Sequence, residues 1–199
     1  MRIGVLRAAA SGALERALYA RPFAPPDPID PAELDALVLL DRPGHLAAAS
    51  IARLSARGAP VLGLGDGFAA LCALGLLEGA VNPAQLIRSH EYVRVEGQPT
   101  PVTAHLAAGS ILRATTGPRV YVHDRPDALE ARDLVLLRWC DEAGGSAAAE
   151  PGGNIAGVCN DDGNVVGLLP RFDRAYDEDA AAAGRRFFDS LRAHLADHR

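Results

Sequence analysis

Residues 61–68, VLGLGDGF, have the glycine spacing of a turn that presents a catalytic side chain. An apolar strand runs into a glycine-rich corner and then into a helix, which is how several α/β enzymes expose a nucleophile beside amides that stabilise an oxyanion. Gly63 and Gly67 supply small residues on either side, but the corner itself is Gly65. The segment therefore predicts the backbone of a catalytic elbow that carries no nucleophile.

Two other side chains could provide chemistry near this corner. A possible residual pocket comprises Gly63, Asp66, Gly67 and His123. Asp66 could act as a carboxylate nucleophile, and the alternative is that it caps the helix that begins there. His123, next to Asp124 in VYVHDRPD, is the best candidate for a base, and the alternative is a solvated loop pair. The residue types leave both alternatives open.

Cysteine and histidine usage indicates neither a disulfide framework nor a metal centre. The widely spaced Cys72, Cys140 and Cys159 are typical of reduced, mostly buried thiols whose pKa is raised. His194 and His198 stand four residues apart, and we expect them to form a polar helix face because the sequence around them offers no further ligands. We therefore expect no metal and no cofactor.

Composition narrows the classes of function. The chain has 199 residues, 49% of them hydrophobic, and a formal net charge of -5. All its basic residues are Arg, which excludes Schiff-base and P-loop lysine chemistry. No basic stripe indicates a nucleic-acid partner, and no apolar run reaches the roughly 18 residues of a membrane span.

We expect one domain over residues 1–199. Since MRIGVLRAAAS shows no signal-peptide pattern, we also expect a cytoplasmic location.

The first half of the chain alternates strand and helix patterns. Apolar runs at RIGVL (2–6), LDALVLL (34–40) and APVLGLG (59–65) predict strands covered on both faces. Helical spacing at 11–20 and 46–57 separates them. The alternation predicts an α/β fold with a central, mostly parallel sheet and helices on both faces.

The second half has shorter runs and more turns. LIRSHEYVRVEG, SILRATTG, RVYVHD and DLVLLRWCD predict mixed or antiparallel strands that extend the sheet. NIAGVCNDDGNVVGLL (154–169) predicts a hairpin with its turn at NDDGN. Residues 177–197 predict an amphipathic helix, and its core face would carry Phe187, Phe188, Leu191 and Leu195.

The motifs resemble those of the class I glutamine amidotransferases, in particular the family of the glutaminase subunit of phosphoribosylformylglycinamidine synthase in purine biosynthesis. VLGLGDGF is similar to that family's elbow, Val-Leu-Gly-x-Cys-Asn-Gly-Phe, and LGLLEGAVN (74–82) to the segment that follows it. LLRWCD (136–141) and NIAGVCNDDGNVVGLLP (154–170) are similar to two further motifs. The resemblance covers about residues 34–175 and implies a flavodoxin-like fold.

The same resemblance implies that the chemistry has been lost. The family's catalytic cysteine falls on Gly65, its histidine on Arg171 and its glutamate on Asp173. A glycine has no side chain to attack an amide, and an arginine stays protonated and cannot serve as the base. Loss of the nucleophile alone costs about a million-fold in turnover in a comparable triad. We therefore expect none of these positions to be catalytic.

Two functions of different class remain. The first is a non-catalytic, degenerate glutamine amidotransferase-like protein. It would act as a scaffold or regulatory subunit that docks on a larger synthetase-type subunit, as the family's glutaminases do, or as a homo-oligomer. The alternative is an enzyme or small-molecule binding module with altered chemistry in the former glutamine pocket, using Asp66 or His123.

Overall fold

A computed structural model of the chain describes residues 2–6, 21–23, 30–43, 45–83, 92–115, 117–146, 154–174 and 178–198. The helix expected at 11–20 lies outside these residues. The described strands are β1 (Ile3–Leu6), β2 (Arg21–Phe23), β3 (Ala36–Leu39), β4 (Val61–Leu64), β5 (Ala80–Pro83), β6 (Tyr92–Val95), β7 (Ile111–Arg113), β8 (Arg119–Val122), β9 (Val135–Cys140), β10 (Ile155–Cys159) and β11 (Val165–Leu168). The described α-helices are α1 (His45–Ala56), α2 (Asp66–Ala73), α3 (Pro126–Glu130) and α4 (Glu178–Asp197).

Among the described residues, five parallel strands form one half of a sheet of nine strands, in the order β2-β1-β3-β4-β11. Every residue of β1, β3, β4 and β11 is buried, as their continuous apolar sequences predict. The carboxyl end of β4 leads directly into α2, so the elbow lies at the carboxyl edge of the parallel strands. The predicted α/β architecture is confirmed.

The sheet continues as antiparallel strands in the order β11-β10-β9-β6-β7, which confirms the predicted antiparallel extension and the 154–169 hairpin. One part of the prediction is wrong. RVYVHD does not extend the main sheet, because β8 pairs with β5 in a separate two-stranded sheet. The sequence pattern also missed β2, in which Pro22 is tolerated because β2 lies at a sheet edge.

The hairpin turn between β10 and β11 is held by two asparagine side chains. Asn160 accepts a hydrogen bond from the Val165 amide at 2.9 Å and donates to Asn164 at 3.0 Å. Asn164 in turn donates to the carbonyl oxygens of Ser55 at 2.8 Å and Ala59 at 3.2 Å, at the end of α1. The residues of NDDGN therefore join the hairpin to the helix beside it, which is a structural reason for this sequence.

The predicted amphipathic helix is present as α4. Phe187, Phe188, Leu191 and Leu195 are all buried, and the ring of Phe187 stacks on Phe172 with 4.2 Å between centroids. These side chains belong to one cluster of buried hydrophobic residues that also contains residues of β1, β3, β4 and β11. Within the described ranges, no helix has the length and apolar character to cross a membrane.

Candidate functional site

Gly65 occupies the corner between β4 and α2 with φ +56° and ψ -105°. Its amide donates to the Leu168 carbonyl at 2.9 Å, and its own carbonyl accepts from the Ala69 amide at 3.1 Å. This region of backbone space is strained for residues with a side chain and is often found at functional sites. The strand, turn and helix predicted from VLGLGDGF are thus present, with the corner in a conformation that glycine adopts most easily.

The glycines that flank the corner are required by close packing. A Cβ on Gly67 would stand 1.9 Å from the Leu39 carbonyl oxygen, and a Cβ on Gly63 would stand 2.7 Å from the Gly67 backbone. Both distances are far shorter than a van der Waals contact. Positions 63 and 67 of the elbow therefore still require glycine, although residue 65 presents no side chain.

Arg171 covers the corner. A Cβ on Gly65 would lie 2.9 Å from Cδ of Arg171 and 3.5 Å from its Nη1. The Arg171 amide donates to the Thr115 carbonyl at 2.9 Å, which fixes the backbone from which this side chain extends. The space directly above residue 65 is consequently filled by an arginine side chain.

The guanidinium of Arg171 is paired with Asp173. Its Nε donates to Oδ1 at 2.7 Å and its Nη2 to Oδ2 at 2.6 Å, and the two side chains are 13% and 5% exposed. These hydrogen bonds to Asp173 raise the pKa of Arg171 above its ordinary value, against the opposing effect of burial. The two-point ion pair therefore holds a permanent cation over the elbow.

Asp66 does not cap α2, so that interpretation is wrong. The residue that precedes the helix is Gly65, and no side chain makes the capping hydrogen bond. Asp66 is instead the first residue of α2, and its carboxylate accepts a hydrogen bond from the guanidinium of Arg119. A carboxylate held in an ion pair is a poorer nucleophile than a free one, because attack would remove the negative charge of the carboxylate and with it the attraction to Arg119.

His123 is not part of a solvated loop pair, which corrects the second interpretation. Its side chain is only 10% exposed, and its Nε2 lies 3.3 Å from Oε2 of Glu78. Its Nδ1 accepts a hydrogen bond from the Arg125 amide at 3.0 Å. With Nδ1 accepting and Nε2 directed at a carboxylate, neither ring nitrogen is free to take a proton from a substrate.

Glu78 organises the surroundings of His123. Arg132 donates to Glu78 Oε1 at 2.7 Å and, together with a hydrogen bond from His123, lowers the pKa of this carboxyl group. Arg132 also pairs with Asp161 in the hairpin turn. A cavity of about 650 Å³ opens beside this group and is lined by Glu78, Gly79, Ala80, Asn82, Val122, His123, Asp124 and Arg125.

The structure divides the predicted site residues into two groups. Gly63, Gly65, Asp66 and Gly67 lie at the elbow, where Arg171 stands over residue 65, whereas His123 lines the cavity beside Glu78. Sequence reasoning missed Arg119 and Glu78, which engage Asp66 and His123 from 53 and 45 residues away along the chain. The one local signal was that Glu78 lies within LGLLEGAVN, a segment that is similar to a family motif.

The thiols do not offer a substitute nucleophile. Burial raises the pKa of Cys72 to about 12 and that of Cys159 to about 11, and it also raises the pKa of Cys140. Cys140 and Cys159 are buried, and Cys72 is half-buried. Thiols of this kind are poor nucleophiles at neutral pH, as the sequence predicts.

Comparison with solved structures defines the class. The chain superposes on a chain of a structure described as PurLQS from Thermotoga maritima with a TM-score of 0.73 and 25% identity over 98% of both chains. A glutamine amidotransferase from Thermotoga maritima matches with a TM-score of 0.58 at 13% identity, over 99% of this chain and 84% of the other. The fold is that of the flavodoxin-like class I glutamine amidotransferases.

Sequence relatives define the family within this class. A Chlorobaculum parvum protein, phosphoribosylformylglycinamidine synthase subunit PurQ, is 36% identical over 175 residues, which are 76% of this chain and 69% of that protein. The PurQ subunit of Thermomicrobium roseum is 42% identical over 139 residues, a match that covers 64% of this chain and 59% of the length of that relative. The chain belongs to the PurQ family, although no protein-family profile matches it.

Proposed function

We propose that this chain is a non-catalytic member of the PurQ family, with Gly65, Arg171 and Asp173 where a glutaminase carries its reactive residues. Its role in this proposal is that of a scaffold or regulatory subunit in a complex with a larger synthetase-type protein. The chain acts as one domain over residues 1–199, in the cytoplasm, without a metal, a cofactor or nucleic acid.

The observation that carries this proposal is the position of Arg171. Its side chain occupies the space above residue 65 and is tied by two hydrogen bonds to Asp173. Amide hydrolysis by a nucleophile and a base needs a group that attacks and a group that accepts and returns a proton. A bare α-carbon supplies no attacking atom, and a guanidinium whose pKa is raised supplies no base.

The docking role is argued from the structural relative of this chain. The Thermotoga maritima relative comes from a structure described as PurLQS, an assembly of more than one kind of subunit. An elbow without chemistry that still keeps the packing requirements of Gly63 and Gly67 supports selection for the shape of the domain. A larger synthetase-type subunit is therefore the partner we propose, and a homo-oligomer is the other assembly the test must distinguish.

The alternative of altered chemistry at the elbow receives less support. Asp66 is paired with Arg119, and His123 has both ring nitrogens engaged. Arg171 fills the position where a ligand would approach residue 65. Both side chains that could supply new chemistry, Asp66 and His123, thus already make hydrogen bonds or ion pairs within the chain.

The experiment combines a glutaminase assay with native co-purification. The purified chain, alone and with extract from its own cells, is given glutamine, and ammonia release is compared with that of a PurQ glutaminase from another organism as the positive control. We expect no release above background and recovery of a larger synthetase-type protein with the tagged chain. Ammonia release by the purified chain would overturn the non-catalytic part, and recovery of the chain alone as a monomer or homo-oligomer would overturn the docking part.

A further inference from the structure

The cavity of about 650 Å³ at the end of the small sheet formed by β5 and β8 has no part in the proposed function. Its volume is within the range of about 300–1,000 Å³ that is typical of small-molecule sites. One end of β8 carries Arg119, the partner of Asp66 at the elbow, and the other end carries Val122, which lines the cavity. Since a strand of four residues is about 10 Å long, the cavity lies away from the elbow.

Hydrogen bonds hold the two chain segments that form the walls of this cavity. Before β5, the Glu78 carbonyl accepts from the Tyr121 hydroxyl at 2.8 Å, and the Glu78 carboxylate accepts from Arg132 at 2.7 Å. After β8, the Arg125 amide donates to Nδ1 of His123 at 3.0 Å. The backbone on both sides of the cavity is therefore fixed before a ligand arrives, which lowers the entropy lost on binding.

Two side chains of opposite charge line the cavity without a partner in the described part of the chain. Asp124 and Arg125 are neighbours in sequence and both are exposed, yet they form no ion pair with each other or with another described residue. The Asn82 carboxamide, on β5, likewise makes no hydrogen bond to a described residue. The cavity thus offers one anion, one cation and one amide to a ligand.

We propose that this cavity is a binding site for a free α-amino acid in its zwitterionic form. The Arg125 guanidinium binds the α-carboxylate through two parallel N–H groups, and the Asp124 carboxylate accepts from the α-ammonium group. The Asn82 carboxamide, which both donates and accepts, binds a polar side chain such as a second carboxamide. A ligand with a single charge would leave one of the two protein charges unpaired. This binding is independent of the docking role and of any glutaminase chemistry.

The test titrates the full chain at pH 7 with L-asparagine and with L-glutamine, by calorimetry. Because both charged side chains are exposed, we expect a modest affinity, with a Kd of about 0.1–1 mM. N-acetyl-L-asparagine lacks the ammonium group and L-asparagine amide lacks the carboxylate, so each should bind about tenfold more weakly. No binding of either amino acid at about 10 mM, or derivatives that bind as well as L-asparagine, would overturn the proposal.

Arg125→Ala and Asp124→Asn are the test variants. Arg185→Ala and Asp127→Asn are the matched controls, because these side chains are also exposed and do not line the cavity. Each test variant should lose about tenfold in affinity with an unchanged unfolding temperature, whereas both controls should bind as the parent does. Arg171→Ala should also leave the affinity unchanged. If Arg171→Ala weakened binding and Arg125→Ala did not, the amino acid would bind at the elbow and the proposal would be wrong.

Discussion

Cδ of Arg171 lies 2.9 Å from the point where a Cβ on Gly65 would stand. The two residues are 106 positions apart in the chain, yet each requires the other. The arginine side chain has room only because residue 65 has no Cβ, and the elbow is covered only because the arginine is there. A side chain introduced at position 65 must therefore displace Arg171 as well as strain the backbone.

Gly65→Ala should destabilise the fold by more than strain alone predicts. A non-glycine residue at φ +56° costs about 1–3 kcal/mol, and the collision with Arg171 adds to that cost. Gly58→Ala is the matched control, since Gly58 has φ +80° with nothing within 4 Å of an added Cβ. Urea unfolding should show the larger loss for residue 65, and Arg171→Ala should remove the excess. Equal losses at both positions would contradict the contact.

Asp173→Asn should destabilise the chain by about 3 kcal/mol. The substitution leaves the mostly buried Arg171 guanidinium without its counter-charge, and breaking a buried ion pair from one side is far costlier than breaking an exposed one. Asp161→Asn is the control, because that carboxylate pairs with Arg132 at the surface. Chemical unfolding of both variants at pH 7 checks the prediction, and a loss at residue 173 no greater than the loss at residue 161 would show that the pair is weak.

Local sequence patterns were sufficient for most strands of the main sheet, the hairpin and the elbow, because each depends mainly on residues that are close together in the chain. The continuous apolar runs of β3 and β4 and the glycines around residue 65 are of this kind. The roles of Asp66 and His123 were not predictable in this way. Their partners, Arg119 and Glu78, are brought to them only by the pairing of β5 with β8 beside α2.

Asn164→Ala should lower the free energy of unfolding by about 1–3 kcal/mol, although the residue has no part in the elbow. Its buried amide satisfies the carbonyl oxygens of Ser55 and Ala59 at the end of α1, and truncation leaves both without this donor. Asn82→Ala, at an exposed position, serves as the control. Thermal unfolding compares the two. If the residue 164 variant were as stable as the parent, the hydrogen bonds of Asn164 would not be the reason for the sequence of the hairpin turn.

Stability of the chain should fall as pH drops below about 6.5, in part because of His194. Its folded pKa is lowered by burial and by His198, so the unfolded chain takes up a proton at a higher pH than the folded chain does. The folded state is therefore favoured above the unfolded pKa and loses that advantage as the solution is acidified. Urea midpoints from pH 7.5 to 5.0 measure the effect. His194→Gln should flatten the acid side of the profile, His105→Gln should not, and identical profiles for the parent and His194→Gln would contradict this cause.

Gly65→Cys alone should not create a glutaminase. The new thiol would stand beside Arg171, whose guanidinium stabilises a thiolate but cannot carry a proton to the leaving ammonia. Adding Arg171→His removes the obstructing side chain and places an imidazole within two residues of Asp173, whose carboxylate could then orient it. We expect the two-residue variant to react with iodoacetamide with a pH dependence set by the imidazole, and the single variant without one. Glutamine hydrolysis by Gly65→Cys with Arg171 in place would show that the cation over the elbow is not what keeps this chain from acting as a glutaminase.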